Sequence, residues 1–124
     1  MGLLEAEPTE MDFADDFNSR ANSFEVRELT AGGPVLGVFD DCYYQQETVA
    51  VERGDLLVAF TDGLTESLDR EGHEFGEDRL REALISCAHM SAEEVRDEVV
   101  RRVREWSART AQHDDLTFVV MKVK

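Results

Sequence analysis

The sequence is short of basic charge, holds only two cysteines and two prolines, and has no long apolar run. Each shortage excludes something. Thirteen Lys and Arg against 28 Asp and Glu leave a formal charge of −15. Such a surface repels phosphate backbones and anionic lipid headgroups, so nucleic acid is not an expected partner. No stretch approaches the roughly 20 apolar residues that span a bilayer, and the acidic start lacks the basic region and apolar core of a signal peptide. No membrane association is expected, and a cytoplasmic location is. Cys42 and Cys87 stand apart with no C-x-x-C spacing, which argues against a disulfide framework or a structural zinc site and for two buried or half-buried thiols. Also absent are a G-x-S-x-G motif and H-E-x-x-H, so no nucleophilic side chain is apparent.

What is present is one domain's worth of globular sequence: 124 residues, 42% hydrophobic and 33% charged. That is enough for a single core and too little for two. The negative charge is uneven. Glu5, Glu7, Glu10, Asp12, Asp15 and Asp16 all precede the first basic residue, Arg20, leaving −9 on the rest. Residues 1–22 read as an acidic leader, disordered or a short helix. Thr9 and Asp12 can form a capping box there, with Phe13 and Phe17 four residues apart on one face. Residues 23–124 read as the domain.

Within the domain, short strands come first. Phe24, Val26 and Leu29 lead into Ala31-Gly32-Gly33-Pro34 and then Val35–Phe39, which predicts two strands and a tight turn. Tyr43–Val51 is rich in aromatic and β-branched residues and predicts a half-exposed strand. Arg53-Gly54-Asp55 is a turn, and Leu56–Phe60 is an unbroken apolar run of the kind that fills a buried strand. Helical spacing follows. Leu80, Leu84 and Cys87 share a face of a helix over 77–89. Ser91 and Glu94 form an S-x-x-E capping box, and Val95, Val99, Val103 and Trp106 make one apolar stripe of a second helix, with Trp106 as a core anchor. Leu116–Val123 closes the chain as a strand.

Two features could carry chemistry. Thr61-Asp62-Gly63-Leu64-Thr65-Glu66 follows the buried strand, and His113-Asp114-Asp115 precedes the last one. Singly, each reads as a turn or a solvated loop. If the two strands are antiparallel neighbours, the end of one and the start of the other meet at one sheet edge. The carboxylates could then share an ion. Oxygen ligands of this type select Mg²⁺ or Mn²⁺, and a metal pair can activate a water and clamp a phosphoryl group for in-line attack.

The run Gly54-Asp55-Leu56-Leu57-Val58-Ala59-Phe60-Thr61-Asp62-Gly63-Leu64-Thr65-Glu66 resembles the G-D-x-L-x-x-x-T-D-G-x-x-E segment of PPM-type metal-dependent Ser/Thr phosphatases, in their bacterial SpoIIE/RsbU-like branch. Asp114-Asp115-Leu116-Thr117 is similar to that family's closing D-D-x-T strand, and Leu29–Phe39 to its L-x-x-G-G-x-x-L-G-x-F segment. The resemblance implies an α+β fold, a partial PPM phosphatase sandwich of antiparallel β-sheets flanked by an antiparallel helix pair. It implies that Asp62 and Asp114 ligate a binuclear Mn²⁺ or Mg²⁺ centre, with Thr61, Gly63, Glu66 and Asp115 supporting them. The implied substrate is a phosphoserine or phosphothreonine regulator protein such as an anti-anti-sigma factor.

The family's G-D-x-x-G-H-G motif, whose aspartate bridges the two metals, has no counterpart here. Gly72-His73 is followed by Glu74 and reads as a surface turn. Two carboxylates leave most of the charge and coordination of two divalent ions unmet, so metal binding by this chain alone is expected to be weak or absent. The alternative reading is a catalytically incomplete module that recognises a sigma-regulatory partner. A sheet lacking strands would expose edges and apolar faces, which predicts a homodimer or a strand-swapped assembly.

Overall fold

The computed structural model describes residues 2–8, 24–108 and 116–124. Among these residues four strands and three helices follow in the order β1 (Gly2–Pro8), β2 (Phe24–Glu28), β3 (Leu56–Phe60), α1 (Asp62–Thr65), α2 (Gly76–Cys87), α3 (Ala92–Trp106) and β4 (Phe118–Lys122). The strands form one antiparallel sheet in the order β2-β1-β3-β4. The α+β class and the antiparallel helix pair are as expected.

β3 organises the core because its side chains alternate in burial. Leu56, Val58 and Phe60 are buried, and Leu57 and Ala59 only half so. The buried face meets Leu80, Leu84 and Cys87 of α2 and Val95, Val99 and Val103 of α3. The α3 set falls at i, i+4 and i+8, one stripe of a helix. Each fully buried Leu or Val contributes about 1.5–3 kcal/mol. The capping box that starts α3 is complete: the Glu94 N–H donates to Ser91 Oγ at 3.2 Å and the Ser91 N–H donates to Glu94 Oε2 at 2.9 Å.

A short connection turns the chain from α2 into α3. Trp106 at the end of α3 therefore lies against Phe75 and Arg79 at the start of α2. The Trp106 and Phe75 rings meet edge-on at 6.4 Å, and the Arg79 guanidinium sits 3.9 Å from the Trp106 ring. Trp106 Nε1 donates to the carbonyl of His73 at 3.1 Å, so the anchor role expected of this residue extends to the turn before α2. Lys122 of β4 donates to the carbonyl of Ala88, just beyond α2, and burial pushes its amine below the usual lysine range.

Three stretches differ from the sequence expectation. Gly2–Pro8, expected to be disordered or a short helix, is a strand held between β2 and β3. Its Leu4-Glu5-Ala6-Glu7 alternation has the period of a strand; Thr9, Asp12, Phe13 and Phe17 lie outside the described residues. Val35–Phe39 is not a strand. Gly37 adopts φ of 82° in its middle, and a left-handed residue interrupts extended pairing. Tyr43–Val51 forms no ladder with the described residues either, and strand-type residues need a neighbouring strand to satisfy their backbone groups. Among the described residues the second sheet of a sandwich is not formed.

Candidate metal centre

The site grows from the end of β3. A strand gripped between β1 and β4 delivers Thr61 and Asp62 to the sheet edge, with Phe60 opposite Phe118 of β4. Thr61 is extended (φ −94°, ψ 163°) and caps α1 by position only. Its hydroxyl donates instead to the carbonyl of Thr117 at 3.2 Å, and its N–H donates to the same oxygen at 3.0 Å. The end of β3 and the start of β4 thus lie at one edge, as antiparallel pairing requires.

Asp62 opens the single turn of α1 and is exposed. The backbone beneath it is closely tied. The Leu64 N–H donates to the Thr61 carbonyl at 3.1 Å, and the Asp62 carbonyl accepts from the Glu66 N–H at 2.8 Å and the Thr65 hydroxyl at 3.3 Å. The Ser67 hydroxyl donates to the Gly63 carbonyl at 2.9 Å. Leu64, completely buried, pins the turn to the core, while Glu66 is exposed beside it. A carboxylate on so constrained a turn is a pre-positioned hard oxygen donor, the chemistry Mg²⁺ and Mn²⁺ prefer.

Asp62, Thr61, Gly63 and Glu66 therefore sit together. Asp114, Asp115 and His113 lie outside the described residues, and Thr117, three positions after Asp114, is the part of that segment seen to touch the Thr-Asp-Gly turn. One metal-capable grouping was not singled out from sequence: Asp69, Glu71 and His73, whose ligand atoms lie within 4.8 Å of one another. It belongs to a tight turn. Asp69 Oδ1 accepts the N–H groups of Glu71 and His73 at 2.9 and 2.8 Å, and His73 Nδ1 is 3.3 Å from Asp69 Oδ2. The His73 N–H is the main cause holding the Asp69 carboxyl below its ordinary range. The D-x-E-x-H spacing of residues 69–73 was its only signal. Another carboxylate, Asp55, is buried at the opposite end of β3, where it accepts the Glu52 N–H at 2.7 Å. It closes the turn before the strand.

An antiparallel sheet with a helix pair on one face and a Thr-Asp-Gly turn at the β3–β4 edge is the architecture of part of a PPM-type phosphatase domain. The chain belongs to the SpoIIE family: the family profile described as "Stage II sporulation protein E (SpoIIE)" matches residues 18–124. Among curated relatives it is 29% identical to the phosphoserine phosphatase RsbU of Bacillus subtilis over 111 residues, 87% of this chain and 31% of that protein. It is 27% identical to the protein IcfG of Synechocystis over 94 residues, 75% of this chain and 14% of that one. Its fold is similar to the SiaA-PP2C domain of Pseudomonas aeruginosa, with a TM-score of 0.72 and 21% identity over 99% of this chain and 43% of that one. It is also similar to the phosphatase domain of the cell fate determinant SpoIIE from B. subtilis, with a TM-score of 0.53, 16% identity and 46% of that chain covered. The chain thus spans a third or less of the curated relatives and under half of the solved domains. No helix among the described residues is long and apolar enough to cross a membrane.

Proposed function

We propose that this chain is the metal-ligating C-terminal part of a phosphoprotein phosphatase domain, in which Asp62 and Asp114 hold Mn²⁺ or Mg²⁺ and a phosphoserine or phosphothreonine regulator protein is the substrate. The observation that carries the reading is the pair of hydrogen bonds from Thr61 to the Thr117 carbonyl. They hold the segment that follows Asp114 against the turn that bears Asp62, and three residues span at most about 10 Å. Thr61, Gly63, Glu66 and Asp115 support the two carboxylates. When bound, the metal supplies a Lewis acid and an activated water for attack on the phosphoryl group. The chain's own part is to orient carboxylate oxygens at a fixed sheet edge. The relative named as a phosphoserine phosphatase supports the substrate class, and an anti-anti-sigma-type regulator is the form of it we favour.

The share of the solved domains covered, 43% and 46%, favours a second reading for the chain in isolation: a module that recognises a sigma-regulatory partner without turning it over. Manganese calorimetry on the wild-type chain and on Asp62→Asn and Asp114→Asn decides the metal question. Weak binding that both substitutions abolish is expected; binding indifferent to both overturns the assignment. Hydrolysis of an aryl phosphate with Mn²⁺ that is no faster than in the Asp114→Asn variant leaves the recognition module as the function of this chain.

A further inference from the structure

The turn that bears Asp62 is too short to hold itself. α1 is four residues long, and a single helical turn fixes several dihedral angles for one hydrogen bond, so it forms only where the rest of the fold supports it. On its N-terminal side the support is Thr61, tied to the sheet through the Thr117 carbonyl. On its C-terminal side the backbone leaves helical geometry at Glu66 (φ −85°, ψ 4°), and the Gly63 carbonyl takes the Ser67 hydroxyl at 2.9 Å. Gly63 follows Asp62 directly, so that hydroxyl acts on the residue next to the carboxylate.

Ser67 is itself held. The Phe75 N–H donates to the Ser67 carbonyl at 2.8 Å, and Leu68 is bridged to Glu74 in the antiparallel sense. Between them the chain turns tightly: the Asp69 N–H donates to the His73 carbonyl at 2.9 Å, and the Asp69 carboxylate accepts the N–H groups of Glu71 and His73. Residues 67–75 are thus a closed hairpin, and the Asp69, Glu71 and His73 grouping forms its tip.

The returning arm of the hairpin is fastened to the helices. Trp106 Nε1 donates to the His73 carbonyl at 3.1 Å, Arg79 Nη1 donates to the Phe75 carbonyl at 3.1 Å, and Phe75 is buried in the core. A continuous path of backbone and hydrogen bonds therefore leads from the end of α3 and the start of α2 to the carbonyl beside Asp62. The turn is strung between two layers, fixed to the sheet by Thr61 and to the helix pair by Ser67. Ligand groups keep their geometry when the residues that support them are locked in this way.

We infer that Ser67 is a positioning residue for Asp62, and that residues 67–75 are a strap that fixes its hydroxyl from the ends of α2 and α3. The inference rests on the proposed metal role of Asp62 and deepens it by naming what orients the turn. Its first readout needs no metal, so its failure is distinguishable from a failure of the metal assignment.

That readout is amide hydrogen exchange, followed by NMR on the full chain. The Leu64 and Glu66 N–H groups report the turn, because they donate to the Thr61 and Asp62 carbonyls; those of Val99 and Val103, inside α3, report the global fold. Expected in Ser67→Ala is exchange about threefold or more faster at Leu64 and Glu66, with the α3 amides unchanged. Ser67→Thr, which keeps the hydroxyl, stays at wild-type rates. Trp106→Phe removes the donor to the His73 carbonyl and keeps a ring beside Phe75, and it speeds the Phe75 and Glu66 amides together. Manganese calorimetry is the second readout, with binding about threefold or more weaker in Ser67→Ala and restored in Ser67→Thr. A wild-type chain that binds no manganese counts against the metal role of Asp62, and the exchange rates then decide the role of Ser67 by themselves. Unchanged exchange at Glu66 in Ser67→Ala would overturn the inference, as would a rise shared equally by the α3 amides. So would a Trp106→Phe variant that speeds Phe75 alone, or a manganese affinity that Ser67→Ala leaves intact.

Discussion

The hydroxyl and the backbone N–H of Thr61 both reach the carbonyl of Thr117, at 3.2 and 3.0 Å, across 56 residues of sequence. One threonine thereby ties the turn that bears Asp62 to the start of β4 at a single sheet edge. The backbone bond belongs to the strand pairing and survives any substitution but proline; the hydroxyl bond is specific to Ser or Thr.

Thr61→Val therefore tests the hydroxyl alone, since it keeps the β-branched shape. The lost bond is exposed, so stability falls by no more than about 1 kcal/mol, read as a small drop in the urea midpoint. Because the bond positions the segment after Asp114, manganese affinity falls several-fold in the same variant. Thr61→Ser restores it. An unchanged affinity in Thr61→Val would make the hydroxyl bond a strand-end detail without bearing on the metal.

Removal of a core side chain is the larger perturbation. Leu84 is buried between the sheet and α3, and Leu84→Ala leaves a cavity that costs about 2–5 kcal/mol. For a chain of 124 residues that is a large share of the 5–15 kcal/mol typical of a domain. The single tryptophan, Trp106, reports the transition because its ring packs on Phe75 and Arg79; the expected result is a lowered urea midpoint with an unchanged slope.

The capping box is legible in the sequence, and its removal is correspondingly specific. Ser91→Ala deletes the acceptor for the Glu94 N–H at a cost of about 1 kcal/mol. Glu94 has its carboxyl held below the usual range, mainly by the Ser91 backbone N–H, and that half of the box remains. The measurement is thermal unfolding of Ser91→Ala beside Ser91→Asp, which restores stability to within a few tenths of a kcal/mol.

What could be read from sequence was what is local. β3, α2, α3 and β4 announce themselves by an apolar run, a 3.6-residue stripe and a cap, each contained within one segment. The place of Asp62 in the fold was legible for the same reason, as the first carboxylate after a buried run. β1 was not, because Glu5 and Glu7 disguise a strand whose existence depends on two partners distant in sequence, Phe24–Glu28 and Leu56–Phe60. Val35–Phe39 and Tyr43–Val51 erred in the opposite sense. Their composition favours strands, but composition supplies no partner, and Gly37 turns the chain. The Asp69, Glu71 and His73 grouping escaped because backbone N–H donors of a turn assemble it.

The outer face of α3 gives the pH prediction. Glu98 accepts from Arg101 and from Arg102, each at 2.7 Å, and these bonds hold its carboxyl at about 2. A carboxyl depressed in the folded state stabilises the fold above its unfolded value, near 4.5, and that contribution disappears as pH falls from there toward 2. Arg101 is half exposed, so the network is screened by salt and contributes only about 0.5–1 kcal/mol. Glu98→Gln should therefore lower stability slightly at pH 7, leave it unchanged near pH 2, and flatten the wild-type fall between pH 4.5 and 2. Paired urea titrations at those three pH values measure it. A deficit in Glu98→Gln that persists undiminished at pH 2 would assign the effect to lost packing against Arg102, whose Nη2 also donates to Ser86 of α2 at 2.8 Å, and not to charge.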